Sequence, residues 1–289
     1  MAQQVPIVPS SSPPSPVSVA PASLAMGAPG SPAEYWEQRL TKLGGLDGVG
    51  FIGFGLAYNE WMYRVRKRIF LKHIRSVAFD PSTAQVLDVG SGTGFWVEVW
   101  KSLGVKKLTA SDITVVASER LREKYPEYRV LRMDITSPEA GAPGQQYDLI
   151  SAIDVLFHIV DDGGFSRTFT NVGRLLKPGG FFLFSENLPH RAIPHSVTQV
   201  NRSLESVSAE VAGAGMRIVK RVPMFVVMNA PVDVRSAFLL RLWKLFMAPL
   251  QHFPVLGNAY GAALFPLECL LLEIFREGPS TELVICQKV

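Results

Sequence analysis

The stretch that decides the fold is 85-QVLDVGSGTGFWVEVW-100, where an apolar run meets an acid and then three glycines spaced two apart. The apolar run 85–90 predicts a buried strand, and the pattern over about residues 94–103 predicts a helix. A glycine-rich turn between a strand and a helix lets a ligand approach bare backbone, and the helix N-terminus favours an anionic group. The stretch therefore predicts a ligand site at the end of a buried strand.

The same alternation of strand and helix continues along the chain. Further strands are predicted at 107–112, 128–134, 147–154, 181–187, 217–230 and 283–289, and further helices at 115–125, 163–176 and 199–215. Continuous apolar strands that alternate with helices predict a mostly parallel sheet covered on both faces. Ligands of such sheets bind at the carboxyl ends of the strands, where the strand order reverses. The turn after the first strand is expected to lie there.

The two ends of this pattern differ from its centre. Residues 1–32 are rich in Pro, Ser and Ala and carry no Lys or Arg, which predicts a disordered tail rather than a signal peptide. Residues 33–289 are expected to form one domain, with N-terminal helices over 33–78 and an apolar helical insertion over 231–281. No stretch of about 18 uninterrupted apolar residues occurs, so we expect no transmembrane helix.

The composition narrows the class of protein. The 289 residues are 47% hydrophobic and 19% charged, which is enough to bury a large core. A net charge of +4 is too small to indicate a nucleic-acid or membrane binder without a local patch. The two cysteines, Cys269 and Cys286, lack metal-site spacing and indicate a reducing compartment. We therefore expect a cytoplasmic protein.

Two nucleotide ligands compete for the glycine turn. A dinucleotide site requires a third glycine at the sixth position from Gly90, where this chain has Phe95. A P-loop requires a Gly-Lys-Ser/Thr ending, which is absent. The pattern is instead D-x-G-x-G-x-G, beginning at Asp88.

This pattern resembles motif I of the class I S-adenosylmethionine-dependent methyltransferases. The similarity continues with Asp112, about 20 residues past the turn, and with an acid between apolar residues at 133–135. The segments 150-ISAIDVLFHI-159 and 175-LLKPGG-180 also resemble family motifs, so the similarity covers roughly 80–230 and the final strand. The resemblance implies an α/β, doubly wound, Rossmann-like sheet of seven strands whose last strand is antiparallel. It also implies S-adenosyl-L-methionine as cofactor.

The resemblance assigns parts of the cofactor to particular residues. The glycines would hold the methionine portion, Asp112 the ribose hydroxyls and Asp134 the adenine amine. Three alternatives stay open: Asp88 only braces the turn, Asp112 is a helix N-cap, and Asp134 is a loop acid. The predicted cofactor-binding residues are Asp88, Gly90, Ser91, Gly92, Gly94, Asp112, Ile113, Met133, Asp134, Ile135 and Asp154.

The methyl acceptor is predicted by elimination. The double proline of nucleic-acid amino methyltransferases is replaced by 154-DVLF-157, and neither cysteine follows a proline. No basic stripe carries interleaved aromatic residues, so we expect no nucleic-acid partner. A small molecule is therefore the favoured acceptor. We expect methylation of a hydroxyl on an apolar molecule, with an amine or a carbon as the less favoured acceptor atoms.

His158 is the candidate catalytic residue. It lies four positions past Asp154, and a neutral imidazole there could accept the acceptor's proton. The alternative is a structural histidine bonded to Asp161 or Asp162. Helix capping before Gly163 explains those two acids better than a metal does, so no metal is predicted.

The apolar segment 236–278 and the basic helix 64–75 have more than one interpretation. The apolar segment lines a pocket for an apolar acceptor, contacts a membrane or a second subunit, or simply adds core. The basic helix attracts an anionic acceptor or lipid headgroups, or is a solvated face. Three functions follow: a small-molecule methyltransferase, a cofactor-binding protein or cyclase without methyl transfer, and a membrane-associated lipid methyltransferase. The oligomeric state is not predicted.

Overall fold

The computed structural model of the chain describes residues 31–141, 144–190, 198–234 and 236–289. The predicted disordered tail therefore lies outside the described residues, except at its end. There the prediction is wrong by two residues, because Ser31 accepts a hydrogen bond from the Glu34 amide and caps a helix that begins at Pro32. Proline is favoured in the first helical turn, where its missing N–H costs nothing.

Seven strands form one sheet in the order β3-β2-β1-β4-β5-β7-β6. Strands β1 to β5 are parallel along the sheet, and β7 is antiparallel to both β5 and β6. The strand order reverses between β1 and β4, so their carboxyl ends mark the expected ligand edge. The predicted fold class is confirmed. The strands are β1 Gln85–Val89, β2 Lys107–Asp112, β3 Arg129–Arg132, β4 Tyr147–Ala152, β5 Leu176–Asn187, β6 Met216–Pro223 and β7 Thr281–Lys288.

Helices cover both faces of the sheet. Alternate residues of each strand point to opposite faces, so Val86 and Leu149 belong to one buried cluster while Leu87 and Ile150 belong to the other. The first cluster includes helices α3, α4, α8 and α9, and the second includes α6 and α7. The helices are α1 Pro32–Lys42, α2 Leu46–Val49, α3 Gly55–Ile74, α4 Phe95–Ser102, α5 Val115–Lys124, α6 Asp162–Leu175, α7 Leu204–Gly213, α8 Ala237–His252 and α9 Gly257–Ile274.

Two boundaries differ from the sequence prediction. The 177–180 turn lies within β5, whose pairing with β4 begins at Leu176 and resumes at Phe181 after a register shift. Proline usually interrupts a helix, which predicts breaks in the insertion at Pro249, Pro254 and Pro266, yet Pro249 and Pro266 lie inside α8 and α9. The break falls between the two helices, where Phe253 precedes a single turn of 3₁₀-helix over Pro254–Leu256. Packing of both helices on the domain outweighs the local cost of proline.

The insertion is attached to the domain through a buried acid. Glu268 of α9 is 0% exposed, and its carboxylate accepts hydrogen bonds from the amides of Val226, Val227 and Met228. These three amides follow β6, where the chain leaves the sheet. A carboxylate with several amide donors is the usual way that a buried acid is compensated. The side chain therefore fixes α9 to the sheet edge.

Candidate active site

The glycine turn lies at the carboxyl end of β1, as predicted. Gly90 and Gly92 have φ angles of +70° and +51°, which residues with a side chain rarely adopt. A Cβ at Gly90 would lie 2.5 Å from a methyl of Val155, and one at Gly92 would lie 2.9 Å from a methyl of Val49. The turn therefore needs glycine for both its conformation and its close neighbours. Only a backbone surface is available to a ligand at these two positions.

Asp88 braces this turn. One carboxylate oxygen accepts from the hydroxyl of Ser151 at 2.6 Å, and the other accepts from the hydroxyl of Ser91 at 2.7 Å. The side chain is 1% exposed, and burial raises its pKa to about 6 against the lowering effect of these hydrogen bonds. Trp100 donates to Ser151 from behind. The geometry favours the bracing role that the sequence left open for Asp88.

Asp112 connects the second strand to the glycine turn. One carboxylate oxygen accepts from the Gly92 amide at 2.9 Å, and the other accepts from the amide and hydroxyl of Thr114 at 2.9 and 2.7 Å. Thr114, and not Asp112, is the N-cap of α5, because its hydroxyl accepts from the Ala117 amide. The N-cap alternative for Asp112 is therefore wrong. Burial raises its pKa, while the three donors oppose that rise.

The predicted adenine side is more open. Asp134 is exposed, and its Oδ1 accepts from both the amide and the hydroxyl of Thr136 at 2.8 Å, which closes a turn. This turn matches the loop-acid alternative, and the adenine role stays a prediction. Ile135 is buried in the core, whereas Met133 and Ile113 are half-buried. The Met133 amide donates to the Asp112 carbonyl at 2.8 Å and joins the two parts of the site.

Asp154 connects the sheet to the N-terminal helices. Among the described residues, it is the one non-glycine residue with a positive φ, +59°. Its carboxylate accepts from the Ser185 hydroxyl at 2.9 Å and forms an ion pair with Arg66 of α3, with a Nε–Oδ2 distance of 2.6 Å. A strained backbone conformation persists where contacts with neighbouring elements hold the residue in place. Here Ser185 of β5 and Arg66 of α3 hold Asp154.

Arg66 was not predicted as a site residue. It is 6% exposed, and its Nη1 is buried without a hydrogen-bond partner among the described residues. Its guanidinium also lies 4.7 Å from the ring centroid of Phe225. In the sequence, Arg66 lies on a basic helix. The apolar residues Met62, Ile69 and Phe70 occur around it at helical spacing, and this pattern could have indicated that Arg66 faces the core. A buried cation with a spare donor is the kind of group that an anionic ligand requires.

His158 lies in a 3₁₀ turn, residues 156–158, just after β4. Its Nδ1 is 2.8 Å from the carbonyl oxygen of Thr198. A carbonyl only accepts, so Nδ1 carries the hydrogen and the neutral ring retains an acceptor at Nε2. Burial lowers its pKa to about 4, and the charge of Arg39 acts in the same direction. The imidazole is therefore neutral at neutral pH.

The alternative partners proposed for His158 have other roles. Asp161 caps α6 by accepting from the Gly164 amide, and Asp162 pairs with Arg202 at 2.7 Å. The prediction that one of them bonds His158 is wrong, whereas the capping prediction for Asp161 is confirmed. No group of three or more His, Cys, Asp or Glu side chains in the described ranges is placed to hold a metal ion.

The N-terminal helices cover the site from above. Trp36 of α1 lies edge-on to His158, with ring centroids 4.8 Å apart. The Glu37 carboxylate accepts from the amides of Val115 and Val116 at 2.6 and 3.0 Å, which joins α1 to the N-terminus of α5. A carboxylate is favoured at that end of a helix. Helices from residues 33–78 thus lie over the site, and we call this range the N-terminal lid segment.

Glu186 is a second buried group that the sequence did not indicate. It lies at the end of β5 and is 0% exposed. One carboxylate oxygen accepts from the Asn187 amide, and the other has no partner among the described residues. Burial raises its pKa well above the ordinary value, while the Asn187 amide and the charge of Arg202 act in the opposite direction. Its position at the carboxyl end of a predicted strand was the available signal.

These observations define the class of protein. The strand order, the glycine turn after β1 and the acid at the end of β2 are those of a class I S-adenosylmethionine-dependent methyltransferase. The residues present suit that cofactor: bare backbone at Gly90 and Gly92, carboxylate acceptors at Asp112 and Asp134, and a buried cation at Arg66 for a carboxylate. The individual ligand assignments stay predictions.

The chain belongs to the methyltransferase domain family, whose model matches residues 58–253. The resemblance to this family is confirmed, and the cofactor prediction is confirmed at the level of the family. The match begins inside α3 and ends just after α8. Most of the N-terminal lid segment and the whole of α9 lie outside it.

Two similar proteins differ greatly in how much of their length the chain covers. The chain is 34% identical over 110 residues to the polyketide synthase-nonribosomal peptide synthetase ffsA of Aspergillus flavipes, which covers 35% of this chain and 3% of that protein. It is 30% identical over 136 residues to the ubiquinone biosynthesis O-methyltransferase of Methylocella silvestris, which covers 45% of each. The chain therefore spans less than half the length of these relatives.

A solved structure confirms the fold. The crystal structure of the cyclase SpnF matches with a TM-score of 0.51 and 18% identity, covering 77% of this chain and 80% of that one. Identity at this level shows a common fold and does not identify a common reaction.

Proposed function

We propose that the protein transfers the methyl group of S-adenosylmethionine to a hydroxyl group of an apolar small molecule, with His158 as the general base. The observation that carries this proposal is the hydrogen bond between His158 Nδ1 and the Thr198 carbonyl oxygen, 2.8 Å. It orients the ring and leaves Nε2 as the proton acceptor. The O-methyltransferase relative supports oxygen as the acceptor atom.

The low basicity of His158 restricts the acceptor further. A pKa of about 4 makes Nε2 a weak base, so it suits a hydroxyl that loses its proton easily. Phenols and enols meet this requirement better than aliphatic alcohols do. We therefore propose a phenolic or enolic hydroxyl on an otherwise apolar molecule as the acceptor.

The residues of this chain contribute positioning as well as proton transfer. S-adenosylmethionine supplies a methyl group that its sulfonium already activates. When bound, the cofactor would give its methyl carbon to the acceptor oxygen with loss of the sulfur–carbon bond, and His158 Nε2 would accept the hydroxyl proton. Asp88 and Asp112 hold the glycine turn rigid, and Trp36 covers His158 and limits the access of water.

The test combines product mass with one substitution. Phenolic and enolic acceptors are incubated with the protein and S-adenosylmethionine, and the expected product is heavier by one methyl group. His158→Gln should lower kcat by about 10²–10⁴-fold while cofactor binding stays unchanged. Asp161→Asn, which alters the nearby helix cap and an exposed ion pair with Arg167, serves as the matched control and should keep kcat within about threefold.

Two results would count against the proposal. Unchanged kcat in His158→Gln would remove the histidine from the chemistry. Cofactor binding without any methylated product would favour the second function, a cofactor-binding protein or cyclase. The fold shared with SpnF cannot separate that function from methyl transfer.

A further inference from the structure

Large apolar side chains are exposed on one part of the surface. Eleven of the fifteen large hydrophobic side chains that are exposed among the described residues lie between residues 238 and 275. They come from α8, α9 and the turn between them, and we call this surface the apolar face. A soluble surface rarely concentrates such side chains without a partner. Representative members are Phe238, Leu242, Leu245, Phe253, Val255 and Leu270, with exposed fractions from 52% to 85%.

The exposed side of α9 is apolar over residues 259–270. Ala262, Ala263, Pro266, Leu267 and Leu270 are all exposed and follow one another at helical spacing. The segment Pro254–Ile274 is the one helix among the described residues that is long and apolar enough to cross a membrane, and less than a third of it is buried. The sequence criterion of about 18 uninterrupted apolar residues missed this helix. Core helices of soluble proteins pass the same test, but they are mostly buried, and this helix is not.

The other side of α9 is held by the domain. Glu268 is bound to three amides after β6, and a Cβ at Gly261 would overlap the ring of Trp61 on α3. Trp61 also contacts the ring of Phe265, with centroids 5.5 Å apart. A helix that crossed a membrane would have to give up these contacts and carry Glu268 into hydrocarbon. The contacts instead place α9 on the outside of the domain with its apolar side outward.

The charges around the apolar face are mainly positive. Over residues 236–267 the only charged side chains in the sequence are Arg241 and Lys244. On α3, next to α9, Arg64, Arg68 and Lys72 repeat every four residues. The Arg64 guanidinium lies 4.2 Å from the ring centroid of Trp61, and the charge of Arg68 acts on Cys269 of α9. Lys72 pairs with Glu273 at 2.5 Å. The apolar stripe is therefore bordered by the cations Arg64 and Arg68, with an acid at either end of their row, Glu60 on α3 and Glu273 on Lys72.

We propose that the apolar face docks onto the surface of an anionic phospholipid bilayer. The exposed Leu and Phe side chains enter the acyl boundary, and the cations of α3 and α8 contact the headgroups. A second copy of the chain fits less well, because a two-fold contact through this face brings the cationic borders of both copies together. This inference does not depend on the identity of the methyl acceptor.

Vesicle flotation tests the proposal. The full chain is mixed with vesicles of phosphatidylcholine alone or with about one third phosphatidylglycerol, without cofactor or acceptor. We expect flotation with the anionic vesicles and at least tenfold weaker partitioning to the neutral ones, since each cation near an anionic surface contributes about fivefold. Loss of the difference at high salt is expected as well. Absence of flotation with both kinds of vesicle overturns the proposal.

Matched variants locate the contact. Leu267→Glu/Leu270→Glu should lower partitioning at least tenfold, and Arg64→Gln/Arg68→Gln should remove the preference for anionic vesicles. Val219→Glu/Val289→Glu, which changes two exposed aliphatic residues outside the face, should bind as the unchanged protein does. All of these positions are exposed, so the thermal unfolding midpoint should be retained and checks the fold of each variant. A dimer that Leu267→Glu/Leu270→Glu dissociates, without vesicle binding, would replace the bilayer by a second copy.

Discussion

The carboxyl edge of the sheet and the apolar face depart from the usual pattern of burial in opposite directions. At the edge, charged groups such as Asp88, Asp112 and Arg66 are at most 6% exposed, whereas on the apolar face Phe238 and Leu245 are more than 70% exposed. Every buried charge at the edge lies near an opposite charge or a hydrogen-bond donor, which is the condition for burying it. No element among the described residues covers the exposed side chains of the apolar face. The comparison suggests that the edge is completed by a small ligand and the apolar face by an external surface.

The largest expected effect concerns the buried ion pair at the edge. Arg66→Met should lower the free energy of unfolding by about 3–5 kcal/mol, because it leaves Asp154 buried and uncompensated. Urea denaturation measures the effect. Asp154→Asn together with Arg66→Met should be less damaging than the sum of the single changes, because the double variant removes both charges. Strictly additive losses would show that the two side chains are not coupled.

Two leucines of α8 allow a direct comparison of the buried core with the apolar face. Leu250 is 0% exposed and Leu245 is 72% exposed. Leu250→Ala should cost about 2–5 kcal/mol through lost burial and the cavity that remains, whereas Leu245→Ala should change stability by less than about 0.5 kcal/mol. Chemical denaturation of both variants under one set of conditions measures the difference. Equal losses would mean that the apolar face is covered in solution even without lipid.

Substitution of Asp112 tests whether the carboxyl edge of the sheet binds the cofactor. Asp112→Ala should weaken binding of S-adenosylmethionine by about 100-fold, since it removes a charged acceptor and releases the Gly92 amide. Isothermal titration calorimetry measures the affinity. Asp134→Ala, at the exposed acid, should weaken binding by only about tenfold. If the exposed acid has the larger effect, the ribose and adenine assignments are wrong.

The smallest expected effect is the pH dependence due to His158. Its pKa is about 4 in the folded protein, below the ordinary 6.5 that it has when unfolded. Between these values the unfolded chain binds more protons, so the free energy of unfolding falls as the pH falls from 6.5 towards 4. From pH 7 to 5 the unchanged protein should lose about 2 kcal/mol more than His158→Asn does. His73, whose pKa is also lowered to about 4, is present in both proteins and cancels.

The strands and the glycine turn were predictable because their signals are local. Val86 and Leu87 face opposite sides of a buried sheet, and an apolar run such as 85–90 reports that burial directly. The positions of Asp88 and Asp112 followed from strand ends. Their hydrogen-bond partners did not, because Ser151 and the Gly92 amide come from other elements. The same limit explains why Thr198 was not foreseen as the partner of His158.

The sequence by itself determined the order of strands and helices, the family and the acids at the strand ends, since each depends on residues close together in the chain. Only the tertiary structure decided that Arg66 is buried against Asp154 and that Glu268 holds α9 to β6. It also decided which side of α8 and α9 faces outward. These features depend on contacts between residues distant in sequence, where burial and pairing outweigh local preference.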